Sequence, residues 1–319
     1  MNPKRVVWIA ALAAVGYIAV AVWLVNSDFV EIPPLSASAL ALVLAAGVSQ
    51  IAAKFFYGLL FRESVREAGG SLRRWSAFKA ALVGAGIARL IPAGGAITPV
   101  GMSWTVRDEV EGGSTGPAVR TVLLNYAGLL MMTGVGLFIA RVDIPVFKLS
   151  LFVLSPFIFL LGVVLMFGSG KLGTLSKYLP RFIREKAQGA VIDHLPGLES
   201  QIYIWARLFL EAGALWLVLV AFGIDVDGFQ VIAAFGASAL AGGLPGPPGG
   251  VVIVEGTLGL ILVAYSVPAA AVVAPVLVFR VISYWLPSGL GLLAGGSTFL
   301  SSDAAKKARD HESIGGDEE

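Results

Sequence analysis

Glu255 and Arg280 stand in stretches that are otherwise apolar, and a charge in such surroundings is either held by a partner or turned toward a wet cavity. A carboxylate and a guanidinium at similar membrane depth can neutralise one another. They can also offer the guanidinium to an anion while the carboxylate balances the site. Arg89 is a third buried-type cation, one helical turn before the break Ile91-Pro92-Ala93-Gly94-Gly95. A second break follows at Gly242-Gly243-Leu244-Pro245-Gly246-Pro247-Pro248-Gly249-Gly250. Proline and glycine runs end helices and leave free N–H groups where the next helix begins, and helix N-termini favour anions. Arg89, Gly94, Gly95, Pro245, Gly249, Gly250, Glu255 and Arg280 are therefore the candidate substrate-binding residues, and a phosphate headgroup is the natural anion for a membrane site. Plainer roles stand beside these. Glu255 and Arg280 can be a structural salt bridge, Arg89 can bond carbonyls freed at the first break, and the glycines can serve close packing.

Other chemistries are poorly supplied. There is no cysteine, and the two histidines, His194 and His311, fall in polar segments. No paired-carboxylate site and no G-x-x-x-x-G-K-[ST] motif is found. The expectation is of a protein that is not an enzyme, has no cofactor and no nucleic-acid partner. Lys54 lies near the inner end of an apolar run, where its ammonium is expected to snorkel toward water. Arg207 and Glu211, one turn apart, are expected to pair locally.

The elements that must position these groups are membrane helices. The chain is 57% hydrophobic and 14% charged, against roughly 25% charged in soluble domains, so most of it faces something other than water. Six segments read as full spans: Val6–Val25, Ser38–Leu60, Ala118–Ala140, Leu151–Gly168, Tyr203–Gly223 and Ala269–Ala294. Val6–Val25 reads as an uncleaved span and not a signal peptide, because no small-residue cleavage site follows it. Ala80–Thr105 and Val231–Tyr265 are broken by the two Gly/Pro runs and read as re-entrant hairpins. With the N-terminus inside, and each hairpin returning to its own side, most of the 23 Lys and Arg fall inside, including Arg207, and Arg141 and Lys148 fall outside. Both termini are then cytoplasmic.

Span, span, hairpin, span occurs twice. Each half crosses an odd number of times, so the second half is inverted relative to the first. Broken segments in corresponding places of inverted halves point to a transporter's central site. Leu72, Trp75 and Phe78 at helical spacing suggest an interfacial amphipathic helix, and Ser301–Glu319 is expected to be a disordered tail.

The second half also carries a resemblance. Gly243-Leu244-Pro245-Gly246-Pro247-Pro248-Gly249-Gly250-Val251-Val252-Ile253-Val254-Glu255-Gly256 resembles the "P-x-x-P-G-G-x-G-x-x-E" hairpin of the lysylphosphatidylglycerol synthase transmembrane region. Phe279-Arg280-Val281-Ile282-Ser283-Tyr284-Trp285 is similar to its "R-x-x-x-Y/W" span, and Arg89-Leu90-Ile91-Pro92-Ala93-Gly94-Gly95 to its "R-x-x-P-x-G-G" turn. The likeness covers roughly residues 5–295. It implies a flippase-like membrane domain, the half that moves an aminoacylated lipid across the membrane. Two departures matter. No aminoacyl-transferase domain follows residue 300, and Asn125 stands where symmetry with Arg280 would place a basic residue. Val254 also stands where the family often has a basic residue beside the Glu.

The resulting expectation is an all-α, polytopic helical membrane protein with about six full spans plus two re-entrant helical hairpins in an inverted repeat. Residues 1–300 form the flippase-like domain, with repeat one at about 5–141 and repeat two at about 150–296, and 301–319 form the tail. The expected function is a lipid translocase of the cytoplasmic membrane, with an anionic lipid or lipid-linked headgroup as substrate and room for an oligomer. The alternative is a non-catalytic accessory or scaffold protein for a lipid or cell-envelope enzyme. Such a scaffold needs no wet groove between the hairpins.

Overall fold

A computed structural model describes residues 36–90, 98–110, 113–141, 143–144, 149–168, 195–243 and 250–296. The expected first span, the tail, and the tips of both Gly/Pro breaks lie outside the described residues.

The protein is a helical membrane protein. Helix α1 (Ala37–Glu67) starts where the Ser36 hydroxyl accepts the Ala39 N–H. Its 31 residues make a rod of about 46 Å, longer than the roughly 30 Å hydrocarbon core. The excess carries Arg62, Glu63, Arg66 and Glu67 in the last turns. Helix α2 (Arg74–Leu90) and helix α3 (Thr98–Thr105) pack on one another across the first break. Helix α4 is Thr115–Ala140, and a short antiparallel bridge, β1 (Asp143–Ile144) with β2 (Leu149–Ser150), leads to α5 (Leu151–Gly168). Helix α6 is Leu198–Ala221. Helices α7 (Gly228–Gly242) and α8 (Ile253–Ala264) pack on one another across the second break.

The last segment is not one regular helix. Helix α9 (Ala269–Arg280) passes into a π-helical turn, Val281–Trp285, then α10 (Leu286–Gly291) and a second π turn to Gly296. Proline at 287 has no N–H to give the preceding turn, which fits the wider winding there.

Among the described residues, four segments are long and apolar enough to cross a membrane: Ala37–Glu67, Thr115–Ala140, Leu198–Ala221 and Ala269–Gly295. Helices α7 and α8, at 15 and 12 residues, reach only about 22 and 18 Å and cannot cross alone. The first arm of the other hairpin is longer than the sequence implies. Helix α2 begins at Arg74, not near Ala80, so its outer turns carry Arg74 and Lys79.

The long helices are apolar on most sides, so they bury one face on each other and leave another for lipid. Leu40, Leu44 and Val48 on α1 and Phe157, Leu160 and Val164 on α5 are exposed. Helix α1 packs along α6, and α4 along α5. Small residues set the latter approach: a Cβ on Gly134 would stand 2.8 Å from the Phe159 nitrogen, and one on Gly162 2.8 Å from the Ala127 carbonyl. Helix α2 packs on α10, and α7 on α4. Helix α2 therefore leans on the chain's last segment, and α7 on the mid-chain helix α4.

Candidate site: a cationic cavity between the helices

The interior contains a cavity of about 260 Å³ lined from α1, α2, α4, α6, α7 and α9. Apolar walls come from Ala85, Ala88, Leu129, Leu208 and Phe279. The polar lining includes Gln50, Lys54, Asn125, Arg207, Glu211 and Arg280.

Two ion-pair groups hold these charges. In the first, Glu211 on α6 takes Lys54 of α1 at 2.5 Å and Arg207, one turn back on its own helix, at 3.1 Å. Both cations address the same carboxylate oxygen, Oε1. All three residues are at most 9% exposed. The Arg207 guanidinium also lies over the Tyr57 ring, 4.7 Å from its centre, and this stacking fixes its plane. Its Nε and Nη1 are buried without a hydrogen-bond partner. The second pair joins the last long segment to the second hairpin: the Arg280 Nε donates to Glu255 Oε1 at 2.6 Å. Arg280 lies over the Tyr284 ring, again at 4.7 Å. The π turn starts immediately after Arg280 and carries Ser283 and Tyr284 to the cavity wall.

Among the described residues the two groups hold three cations against two carboxylates. Amide groups of Gln50 and Asn125 extend the polar wall, and Gln50 Nε2 and Asn125 Oδ1 are buried without partners. Asn125 is the residue that departs from the expected symmetric cation. It still faces the cavity, as a neutral polar group.

Each residue singled out from the sequence can now be placed. Glu255 and Arg280 do pair, and Val254 is no obstacle, because Arg280 itself is the partner. Gly250 lines the cavity, with its backbone at φ +65° and an added Cβ 2.8 Å from the Gly242 Cα. Its visible role is the close approach of the two arms. Arg89 lies in the last turn of α2, and its side chain is outside the described residues. Gly94, Gly95, Pro245 and Gly249 also lie outside them.

Three expectations are corrected. Lys54 does not snorkel toward water; it is 4% exposed, because Glu211 offers a carboxylate at the same depth. Arg207 does not belong to a water-facing segment; it is buried in the cavity wall nine residues inside α6. Leu72, Trp75 and Phe78 do not share one interfacial helix. Leu72 precedes α2 and is buried, as is Phe78, while Trp75 alone stands exposed.

The sequence reading missed the Lys54–Glu211 contact. The signal was present: a Lys and a Glu, each inside an apolar span, require partners. Linking them needed the pairing of α1 with α6.

Comparison with known proteins adds the lineage. The family described as the lysylphosphatidylglycerol synthase TM region matches residues 7–291. A "UPF0104 membrane protein" of Methanothermobacter thermautotrophicus is 33% identical over 84 residues. That stretch is 26% of this chain and 25% of that protein.

Proposed function

Because the chain belongs to the family of the lysylphosphatidylglycerol synthase transmembrane region, we propose that it is a lipid translocase that moves an anionic lipid, or a lipid-linked anionic headgroup, across the cytoplasmic membrane. The observation that carries this reading is the cavity lined by three buried cations, Lys54, Arg207 and Arg280, and by the Glu211 carboxylate. A pure scaffold has no need of a polar cavity lined by three buried cations. At about 260 Å³ the cavity is slightly below the roughly 300–1,000 Å³ of drug-sized sites, so it suits a headgroup and leaves the acyl chains to the lipid-facing surface.

In this proposal about six spans and two re-entrant hairpins form an inverted repeat, with both termini in the cytoplasm. The exchange of partners supports it: α2 leans on α10 as α7 leans on α4, and α1 pairs with α6. Hairpins α2–α3 and α7–α8 bring their broken ends toward one mid-membrane site, as inverted-repeat transporters do. The work is translocation and not bond chemistry, and the partners are the bilayer and its anionic lipid.

Reconstitution tests the proposal. Purified protein in liposomes with labelled phosphatidylglycerol in one leaflet should speed its movement to the other leaflet, and labelled phosphatidylcholine should move less. Arg207→Gln should remove most of that acceleration. Equal movement of both lipids, unchanged by Arg207→Gln, would reject the cavity as the route.

A further inference from the structure

Beyond its charged end, α1 turns through residues 68–73 into α2. Gly69, at φ +83°, and the Gly70 N–H on the Val65 carbonyl close the helix. This turn walls a cleft of about 730 Å³. Four arginines line it, Arg62, Arg66, Arg73 and Arg74, against one carboxylate, Glu109. Arg66 is taken up by Glu63 and Glu199. The other three make no ion pair among the described residues. Arg62 gives its Nε to the Leu72 carbonyl at 3.0 Å, which holds the side chain across the turn. Its terminal fork, Nη1 with Nη2, is left for an outside acceptor with two oxygens. Arg73 and Arg74 are exposed, and Glu109 accepts the Ser76 hydroxyl at 2.8 Å.

We propose that this cleft is a surface site for the phosphate headgroup of an anionic membrane lipid, separate from the cavity. Depth is the first reason. From Ala37 to Phe61, α1 carries a single charge, Lys54, and Arg62 opens its polar end. Helix α1 also exceeds the hydrocarbon core by about 16 Å, so this end reaches headgroup level. Trp75 is the second reason. It follows Arg74 directly, is 72% exposed, and its ring rests on Phe78 with centroids 5.3 Å apart. An indole held out beside cations at that level is the arrangement of a membrane–water interface. Charge selects the lipid class: Arg62, Arg73 and Arg74 outnumber Glu109 in an open cleft, which draws an anionic headgroup over a zwitterionic one.

The site does not depend on the cavity being a headgroup route. Arg62 is eight residues, about 12 Å of helix, from Lys54 on α1, and Arg74 is eleven residues, about 16 Å, from Ala85 on α2. The two sites also differ in kind. The cavity's cations are buried, whereas Arg73 and Arg74 stand in water, so lipid binding at the cleft is screened by salt. A lipid held there ties the start of the first hairpin arm to one leaflet.

The test uses the full chain in nanodiscs that mix phosphatidylcholine with phosphatidylglycerol, one of the two brominated as a fluorescence quencher. The Trp75 signal is the difference between the protein and its Trp75→Phe variant, taken in each background. Brominated phosphatidylglycerol should half-quench that signal at a mole fraction about fivefold lower than brominated phosphatidylcholine. Arg73→Gln combined with Arg74→Gln should abolish the preference, and Arg62→Gln should lower it. Arg207→Gln, in the cavity, should leave it intact. Inorganic phosphate should reduce it no more than chloride does at equal ionic strength. Equal quenching by the two lipids overturns the site. So does a preference that survives the double arginine change or, if that protein does not fold, Arg62→Gln. A preference removed by phosphate but not by chloride would make the cleft a soluble-anion site and overturn the lipid. One lost in Arg207→Gln would put the lipid in the cavity and overturn the cleft.

Discussion

The same three helices carry two clusters of arginine and glutamate, one in the cavity and one at a helix end. In the cavity, Lys54 of α1 and Arg207 of α6 share Glu211, beside Asn125 of α4. At the far end, Arg66 of α1 takes Glu63 at 2.5 Å and Glu199 of α6 at 3.3 Å, and Arg120 of α4 takes Glu67 at 2.8 Å. The first cluster has more cations than carboxylates, and the second has three carboxylates to two cations. What separates them is where the surplus lies. Glu199 and Arg66 have side chains half-exposed, so water screens the end cluster's extra charge. The cavity cluster is buried. The end cluster reads as a clasp for α1, α4 and α6; the central one lines the cavity.

The largest expected effect tests the clasp. Arg120 is 2% exposed, and Arg120→Leu leaves Glu67 without its ion-pair partner. A buried pair broken on one side costs about 3–5 kcal/mol, and the Glu67 side chain, 14% exposed, points to the lower end. Thermal unfolding in detergent should fall accordingly, while the protein that remains folded binds dihexanoyl phosphatidylglycerol as before. Loss of lipid binding at unchanged stability would erase the distinction between the clusters.

Next comes the pair of Arg280 with Glu255. Each single change to Gln removes one side of a buried ion pair, at about 2.5–3.5 kcal/mol on insertion scales, and should lower folded yield. The double change should recover yield. It should not recover lipid movement, because Arg280 also lines the cavity. Recovery of both would move this pair into the clasp class.

A smaller effect is expected between the clusters. Gly58 lies one turn from Lys54 and one from Arg62, and a Cβ there would stand 2.8 Å from the Ala77 carbonyl and the Phe78 backbone. Backbone cannot move aside cheaply, so Gly58→Ala should cost about 1–3 kcal/mol by overpacking α1 on α2. If lipid binding shifts along with stability, the clusters are mechanically coupled through α1. If stability alone shifts, they are independent.

Much of this was legible from the sequence, because membrane physics leaves few choices. Apolar length gave α1, α4, α5, α6 and the last segment, and the Gly/Pro runs gave the two breaks, since neither residue type sustains a helix there. Glu255 and Arg280 were paired by the cost of leaving either alone. Lys54 and Arg207 were misplaced for one reason. A cation near the end of an apolar run can reach water or a buried carboxylate, and local sequence does not say which. The answer lies in the packing of α1 on α6, a contact across some 150 residues that no local pattern encodes. The start of α2 was missed because Arg74 and Lys79 look polar, yet exposed turns of a helix carry such residues freely.

The smallest expected effect is the sharpest use of the comparison. Glu199 and Glu211 lie on the same helix, twelve residues or about 18 Å apart, and each touches an arginine at just over 3 Å. Contact distance alone would rank Glu199→Gln and Glu211→Gln together. Burial separates them. Both partners in the Glu199–Arg66 contact are half-exposed, and Arg66 keeps Glu63 when Glu199 is neutralised. Exposed pairs contribute about 0–1 kcal/mol, so Glu199→Gln should change stability by less than about 1 kcal/mol, a difference that fades as salt rises. It should leave phosphatidylglycerol affinity where it was, whereas Glu211→Gln, in the cavity wall, should change it. Thermal unfolding at low and high salt, alongside lipid binding to both variants, makes the comparison directly. A Glu199→Gln protein that also gained lipid affinity would mean that charge anywhere along α6 governs the anion, and that the cavity has no special claim on it.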